Sequence, residues 1–323
     1  MIDSNILINL NVVVFFLSEN IIMLLQGIII YFAILFLKKW DFNSHKAYQY
    51  KLEDYSYFVE VLVLFSFIIK IFLFGYFTYV LDSLSDIIPG AMCGAGVISA
   101  NKYGEPLLIN KTISIFMMMV WIILDRLDLS QKTFPYFKTK YKFYIAIFVI
   151  LLVEFILDIY YFINLSTVLP VTCCSAIYSN STTPTLPFDM SLNLLLSLFY
   201  GLFLGLILAN IFKKEFVSFI LSGLFLYFSY YSILYFFGTY VYELPTHHCP
   251  FCMLQKDYYY VGYFIFIFLF LGSFFGMVNY LIKLFTNHIL SKYFIYSTIF
   301  SSIFVCLVSL YVIVYYIKNG VLL

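Results

Sequence analysis

The stretch "CPFCMLQKDYYYVGYFIFIFLFLGSFFGMVNYLIKLF", Cys249 to Phe285, holds the two features on which the reading of this chain turns. From Val261 onward it is apolar over more than the roughly 18 residues that a membrane-crossing helix requires. Just ahead of that run stands a Cys-x-x-Cys, Cys249 and Cys252. Such a pair can be a redox couple, half of a metal site, or a structural staple.

Similar apolar runs recur along the chain. Of its 323 residues, 63% are apolar and only 11% charged, against about a quarter charged in soluble domains. That excludes an ordinary soluble protein. An all-α polytopic membrane bundle of about eight transmembrane helices is expected, over 20–37, 57–81, 108–124, 143–166, 190–212, 215–237, 256–278 and 294–317. The residues before Asn20 are expected to form a surface-lying or re-entrant piece. The run Ile6–Leu17 lacks a basic flank and a small-residue cleavage site, so no cleavable signal peptide is expected. No polar segment is long enough to bury a core of its own. The net charge of +1 gives no bulk electrostatic case for nucleic acid. The abundance of Phe and Tyr reads as compositional bias.

The loops carry an orientation signal. Lys38, Lys39, Lys46, Lys51, Arg126, Lys132, Lys138, Lys140, Lys142, Lys213, Lys214, Lys283 and Lys292 fall on one side, and Lys102, Lys111, Lys256 and Lys318 on the other. Thirteen cations against four make the first side cytoplasmic by the positive-inside rule, with both termini on the non-cytoplasmic face. Cys93, Cys173, Cys174, Cys249 and Cys252 then share that outer face, and only Cys306 lies within a helix. Disulfides persist on such a face. These cysteines read either as structural disulfides between loops or as a thiol relay.

Two outer loops share a pattern. Cys93-Gly-Ala-Gly96-Val97-Ile-Ser99 lines up with Cys173-Cys-Ser-Ala176-Ile177-Tyr-Ser179, which suggests an internal duplication of a helix–loop–helix unit. The third loop differs. Cys249 is expected near the N-cap of the seventh helix, with Pro250 at the first helical position. The helix N-terminus would favour a thiolate at Cys249, as would protonated His247 and His248. Cys252 would lie one turn deeper, toward lipid.

Three charges fall inside helices. Lys70, Glu154 and Asp158 reach overlapping depths of roughly 17–23 Å, counted by helical rise from the cytoplasmic ends. Charges at such depth are usually paired. An ion pair of Lys70 with Glu154 or Asp158 is expected, either locking helices together or supplying protons.

"CPFCMLQK" resembles the motif of DsbB-type enzymes, a Cys-x-x-Cys followed by apolar residues, a Gln or Glu, and a base. Lys256 stands where that family usually has an arginine beside the quinone. It keeps the charge but lacks the planar fork. "CSAIYS", Cys174 to Ser179, resembles the loop motif of the vitamin K epoxide reductases, and the order of elements over 143–280 agrees with theirs. Here an adjacent pair, Cys173-Cys174, replaces two separated loop cysteines. The resemblance implies a thiol:quinone oxidoreductase. Its quinone would be ubiquinone or menaquinone. Catalysis would rest on Cys249, Cys252, Cys174, Cys173 and Cys93, supported by Lys256, His247, His248 and Ser179. It also implies a redox core over 143–280, preceded by helices 1–142 and followed by a final transmembrane helix in 281–323. No thioredoxin domain is expected within the chain, so its partner would be a separate thioredoxin-like periplasmic protein. The setting implied is a bacterial inner (plasma) membrane, with lipid and quinone as neighbours.

Two other readings compete. Cys93, Cys173, Cys174, His247, His248, Cys249, Cys252, Met92 and Met253 offer soft and imidazole ligands that suit copper, zinc or mercury. A metal-binding or metal-transporting membrane protein would use them so, although no run of intramembrane ligands follows. Alternatively, the chain is a non-catalytic membrane subunit with structural loop disulfides.

Overall fold

The computed structural model describes residues 4–42, 44, 46–131, 133–171, 190–286 and 290–323. Eight long helices organise the described residues, which contain no strand. They are α1 (Leu10–Lys39), α2 (Ala47–Leu84), α3 (Gly104–Leu129), α4 (Phe137–Ile163), α5 (Leu192–Ile211), α6 (Glu215–Tyr242), α7 (Val261–Phe285) and α8 (Ser291–Asn319). Each is long and apolar enough to cross a membrane. The chain is an integral membrane protein of the all-α class.

The helix bounds differ in places from the sequence expectation. Of the residues before Asn20, Ser4–Leu7 form a separate single helical turn, and those from Leu10 on belong to α1. Asn9 caps Leu10–Lys39, its side chain accepting from the Asn11 amide at 3.0 Å, and the helix runs through Asn20 unbroken. The second helix extends well past 57–81 at its N-terminal end. Its first turns, AYQYKLEDYSY, are too polar to register as membrane-embedded, yet they continue the helix.

The chain divides into two compact units, Met1–Val171 and Thr172–Leu323. In the first, α1 packs on α2 and α4, and α3 packs on α2 and α4, so the four helices close into a ring. The sequence reading grouped the fourth helix with those that follow it; Phe137–Ile163 instead completes the ring of the first unit. One end of this unit has an aromatic core in which Phe36, Trp40, Phe137 and Tyr141 pack closely, Trp40 and Phe137 stacking at 3.8 Å.

The second unit closes the same way, α5 on α6 and α8, and α7 on α6 and α8. Among the described residues its interior holds no charged side chain. Phe199, Phe225 and Phe304 fill it, and small residues bring the helices close. Gly272 and Gly276 on α7 form a GxxxG, the sort of spacing that permits near approach of membrane helices. A Cβ at Gly272 would stand 2.8 Å from the Ser301 amide nitrogen of α8, and one at Gly276 would meet Ser222 of α6. Hydroxyls bridge the same seams. Ser297 donates to the Gly272 carbonyl at 2.9 Å and Ser218 to the Gly276 carbonyl at 3.0 Å.

Candidate functional site

Each unit places a cysteine segment between its second and third helices. In the first unit, Cys93 is buried at the N-cap of a short helix, Gly94–Ile98, whose Val97 carbonyl accepts from the Tyr161 hydroxyl at 2.8 Å. In the second, the segment between α6 and α7 carries Cys249 and Cys252. Cys173, Cys174 and Ser179 lie outside the described residues.

The segment around Cys249 is held by α6. A π-helical turn, Ile233–Phe237, widens α6 near its end, a feature frequent near functional positions. The Leu234 carbonyl of that turn lies 3.1 Å from His248 Nδ1. A carbonyl can only accept, so Nδ1 carries the proton. Tyr242 ends the helix with its side chain buried. Its hydroxyl donates to the Cys249 carbonyl and accepts from the Met253 amide at 3.0 Å. One phenol thereby spans the whole Cys-x-x-Cys.

Cys249 and Cys252 are both buried, and their sulfurs lie within 4.8 Å of each other. Cys252–Leu254 is a single 3₁₀ turn, followed by another at Lys256–Tyr258. The long helix α7 starts only at Val261. This corrects the expected geometry. Cys249 is not at the N-terminus of a long helix, Pro250 is not in its first turn, and the macrodipole argument for a thiolate does not apply. The physical reason lies in Tyr259 and Tyr260, both with positive φ (53° and 56°), which separate the cysteine turn from α7. The turn instead packs against the first residues of α7. A Cβ on Gly262 would come within 2.9 Å of the Met253 backbone carbon, so only glycine admits this approach.

The supporting residues also differ from expectation. Lys256 is exposed on its turn rather than standing one helical turn beneath Cys252. His247 packs edge-on against Tyr242 at 4.3 Å, and its Nε2 is buried without a hydrogen-bond partner. Burial, and then the neighbouring His248, lower its pKa below the usual histidine value. A protonated His247 is thus disfavoured, opposite to the role expected of it. Tyr242 and Tyr258, whose rings meet at 4.8 Å, were missed from sequence among so many tyrosines. Burial, followed by Cys252 and Asp257, pushes the Tyr258 phenol pKa up, so Tyr258 belongs to the surroundings of Cys252.

The first unit holds a second constellation. Lys70 Nζ lies 2.5 Å from Glu19 Oε2 and 3.1 Å from Glu154 Oε1. Lys111 Nζ lies 2.9 Å from Glu154 Oε1 and 2.8 Å from Asp158 Oδ2. Ser114 donates to Glu154 Oε2 at 2.7 Å. All five ionisable side chains are buried, each from the interior of a long helix. Lys111 had been assigned to an outer loop; it lies inside α3, on the face toward α4. Glu19 went unrecognised because it was placed outside the membrane helices.

A third group sits nearer the lysine-rich helix ends. Lys140 Nζ lies 2.6 Å from Glu60, 2.9 Å from Asp125 and 3.1 Å from Asp128. Lys140, expected in a loop, lies in the first turn of α4 with its side chain buried. Glu60 borders a cavity of about 180 Å³, walled by Trp40, Phe42, Phe134 and Phe137. Between the two charged groups, Gln26 donates to Ser66 at 2.9 Å and accepts from the Tyr144 hydroxyl.

Cys306 is exposed on α8. Comparison of the chain with protein-family models, with curated proteins and with solved structures gave no match.

Proposed function

We propose that the chain is a membrane thiol–disulfide oxidoreductase that passes electrons from protein thiols on the outer face to a membrane quinone. The observation that carries this reading is the Cys249–Cys252 pair, buried side by side on a turn that Tyr242 spans. Disulfide closure would bring these sulfurs to a separation of about 2.05 Å. The pair would alternate between disulfide and dithiol while its backbone stays clamped.

The chemistry balances as follows. The partner's two thiols reduce a loop disulfide of Cys174 with Cys173 or Cys93, leaving a disulfide on the partner. A freed loop thiolate then attacks Cys249 of the oxidised pair, the Cys249–Cys252 bond breaks, and Cys252 leaves as a thiolate. The second loop thiol resolves the mixed disulfide, which restores the loop disulfide and leaves a dithiol at Cys249 and Cys252. The dithiol then gives two electrons and two protons to a quinone, forming quinol and restoring the Cys249–Cys252 bond. Cys93, Cys173 and Cys174 are proposed as outer-face thiols that admit the partner's electrons. The lysine-rich helix ends would face the cytoplasm of a bacterial inner membrane, and the partner would be a separate thioredoxin-like protein.

Differential alkylation with mass spectrometry tests the couple itself. Treatment of the purified protein with quinone is expected to convert an alkylatable Cys249–Cys252 pair into a protected disulfide. A pair that stays fully alkylatable after quinone would overturn the reading.

A further inference from the structure

Five ionisable side chains meet inside the first unit. Glu19 comes from α1, Lys70 from α2, Lys111 from α3, and Glu154 and Asp158 from α4. Three carboxylates thus face two ammonium groups. The carboxylates approach closely, with one oxygen from each of Glu19, Glu154 and Asp158 lying within 4.8 Å of the others. If every group were ionised, the cluster would carry one uncompensated negative charge in the interior of a membrane helix bundle, where such a charge is costly. The cluster becomes neutral when it takes up one monovalent cation.

The geometry distinguishes which cation. Asp158 Oδ1 is fully buried with no hydrogen-bond partner, although Oδ2 of the same carboxylate is bound by Lys111. A bare anionic oxygen without a donor costs far more than a neutral hydroxyl. A cavity of about 10 Å³ lies among Glu19, Lys70, Lys111, Ser114 and Glu154, room for a single water. A metal ion there would need several further oxygen ligands and would stand against two ammonium groups. The other ionisable group close by, Tyr161, commits its hydroxyl to the Val97 carbonyl at 2.8 Å.

We infer that the Glu19–Glu154–Asp158 carboxylates, bridged by Lys70 and Lys111, form a proton-binding site that holds one exchangeable proton per chain. The inference goes beyond the thiol–quinone reading and stands independently of it, because it uses none of the cysteines. It makes the first unit a titratable element rather than a passive support. The Lys140 group also has more carboxylates than lysines, but Glu60 borders the larger cavity near the helix ends, where water can balance it.

Infrared spectroscopy of the full-length protein in lipid tests the site. At neutral pH, a carbonyl stretch of a protonated carboxylic acid is expected, moving to lower frequency in D₂O. Its intensity is expected to fall by one carboxyl per chain in each of Glu19→Gln, Glu154→Gln and Asp158→Asn, since any one amide leaves two carboxylates against two ammonium groups. Signal from the Glu60 group would be constant across the series and cancel in the difference spectra. Three variants keep the test readable if one fails to fold. A spectrum without the band, or a band whose intensity is the same in wild type and all three variants, overturns the inference. So does a sodium-dependent rise in thermal stability of the wild type that each amide variant abolishes.

Discussion

Lys111 Nζ stands 2.8 Å from Asp158 Oδ2, joining α3 to α4 inside the first unit, and the same nitrogen reaches Glu154 at 2.9 Å. Removing one partner of a buried pair strands the other charge, at about 3–5 kcal/mol. Lys111→Met is therefore expected to lower unfolding stability by about that amount, measured by denaturant titration in detergent. Combining it with Glu154→Gln restores the balance of charge and is expected to recover part of the loss. Equal stability of wild type and Lys111→Met would contradict the bridging role.

Tyr242→Phe removes one hydroxyl and leaves two backbone groups of the cysteine turn, the Cys249 carbonyl and the Met253 amide, without their partner. Stranded buried groups cost about 1–3 kcal/mol each. The variant is expected to keep its helices by circular dichroism while Cys249 and Cys252 react faster with maleimide. An unchanged alkylation rate would mean that the clamp is not what shields the pair.

Gly276→Leu tests the seam of the second unit. Even a Cβ at this position meets Ser222 and stands 2.9 Å from the Ser297 hydroxyl oxygen. Overpacking of this kind costs typically about 1–3 kcal/mol, so a lower melting temperature is expected. Gly201→Leu on α5, where nothing lies within 4 Å, serves as the control and is expected to be tolerated.

His247 sets an acid limit on the cysteine turn. Its folded-state pKa lies below the value of an unfolded histidine, through burial and then His248. The unfolded or opened turn consequently binds the proton more readily. Stability from this group is fully present above the ordinary histidine value of about 6.5, starts to be lost as pH falls below it, and is lost as pH falls through the lower folded-state value. Melting temperature is expected to drop between pH about 7.5 and about 5.5 by less in His247→Phe than in wild type. Identical drops would show that His247 does not couple to folding.

Much of the fold was legible because hydropathy reads membrane-embedded length directly. Eight apolar runs gave eight helices. The ends were less legible, since the polar turns Ala47–Tyr57 of α2 lie outside what hydropathy detects. Lys111 and Lys140 read as loop residues because a lysine near the end of an apolar run is ordinarily at the surface, and Lys140 also stands between Lys138 and Lys142. Only the facing carboxylates on other helices explain their burial, and those contacts are remote in sequence. The Cys-x-x-Cys was plain, but its helix was not. Three successive tyrosines gave no sign that Tyr259 and Tyr260 would take left-handed backbone and delay α7 to Val261. The GxxxG at Gly272 and Gly276 was visible in the sequence and would have located the α6–α7–α8 seam.

The central claim is that electrons leave the Cys249–Cys252 pair for a quinone. The direct measurement is quinone reduction by the purified protein in lipid nanodiscs, followed by the change in quinone absorbance, with a reduced thioredoxin-like protein as donor. Wild type is expected to turn over, with Cys249→Ser and Cys252→Ser each reducing the rate to background. Quinone reduction that continues unchanged in Cys252→Ser would contradict the account.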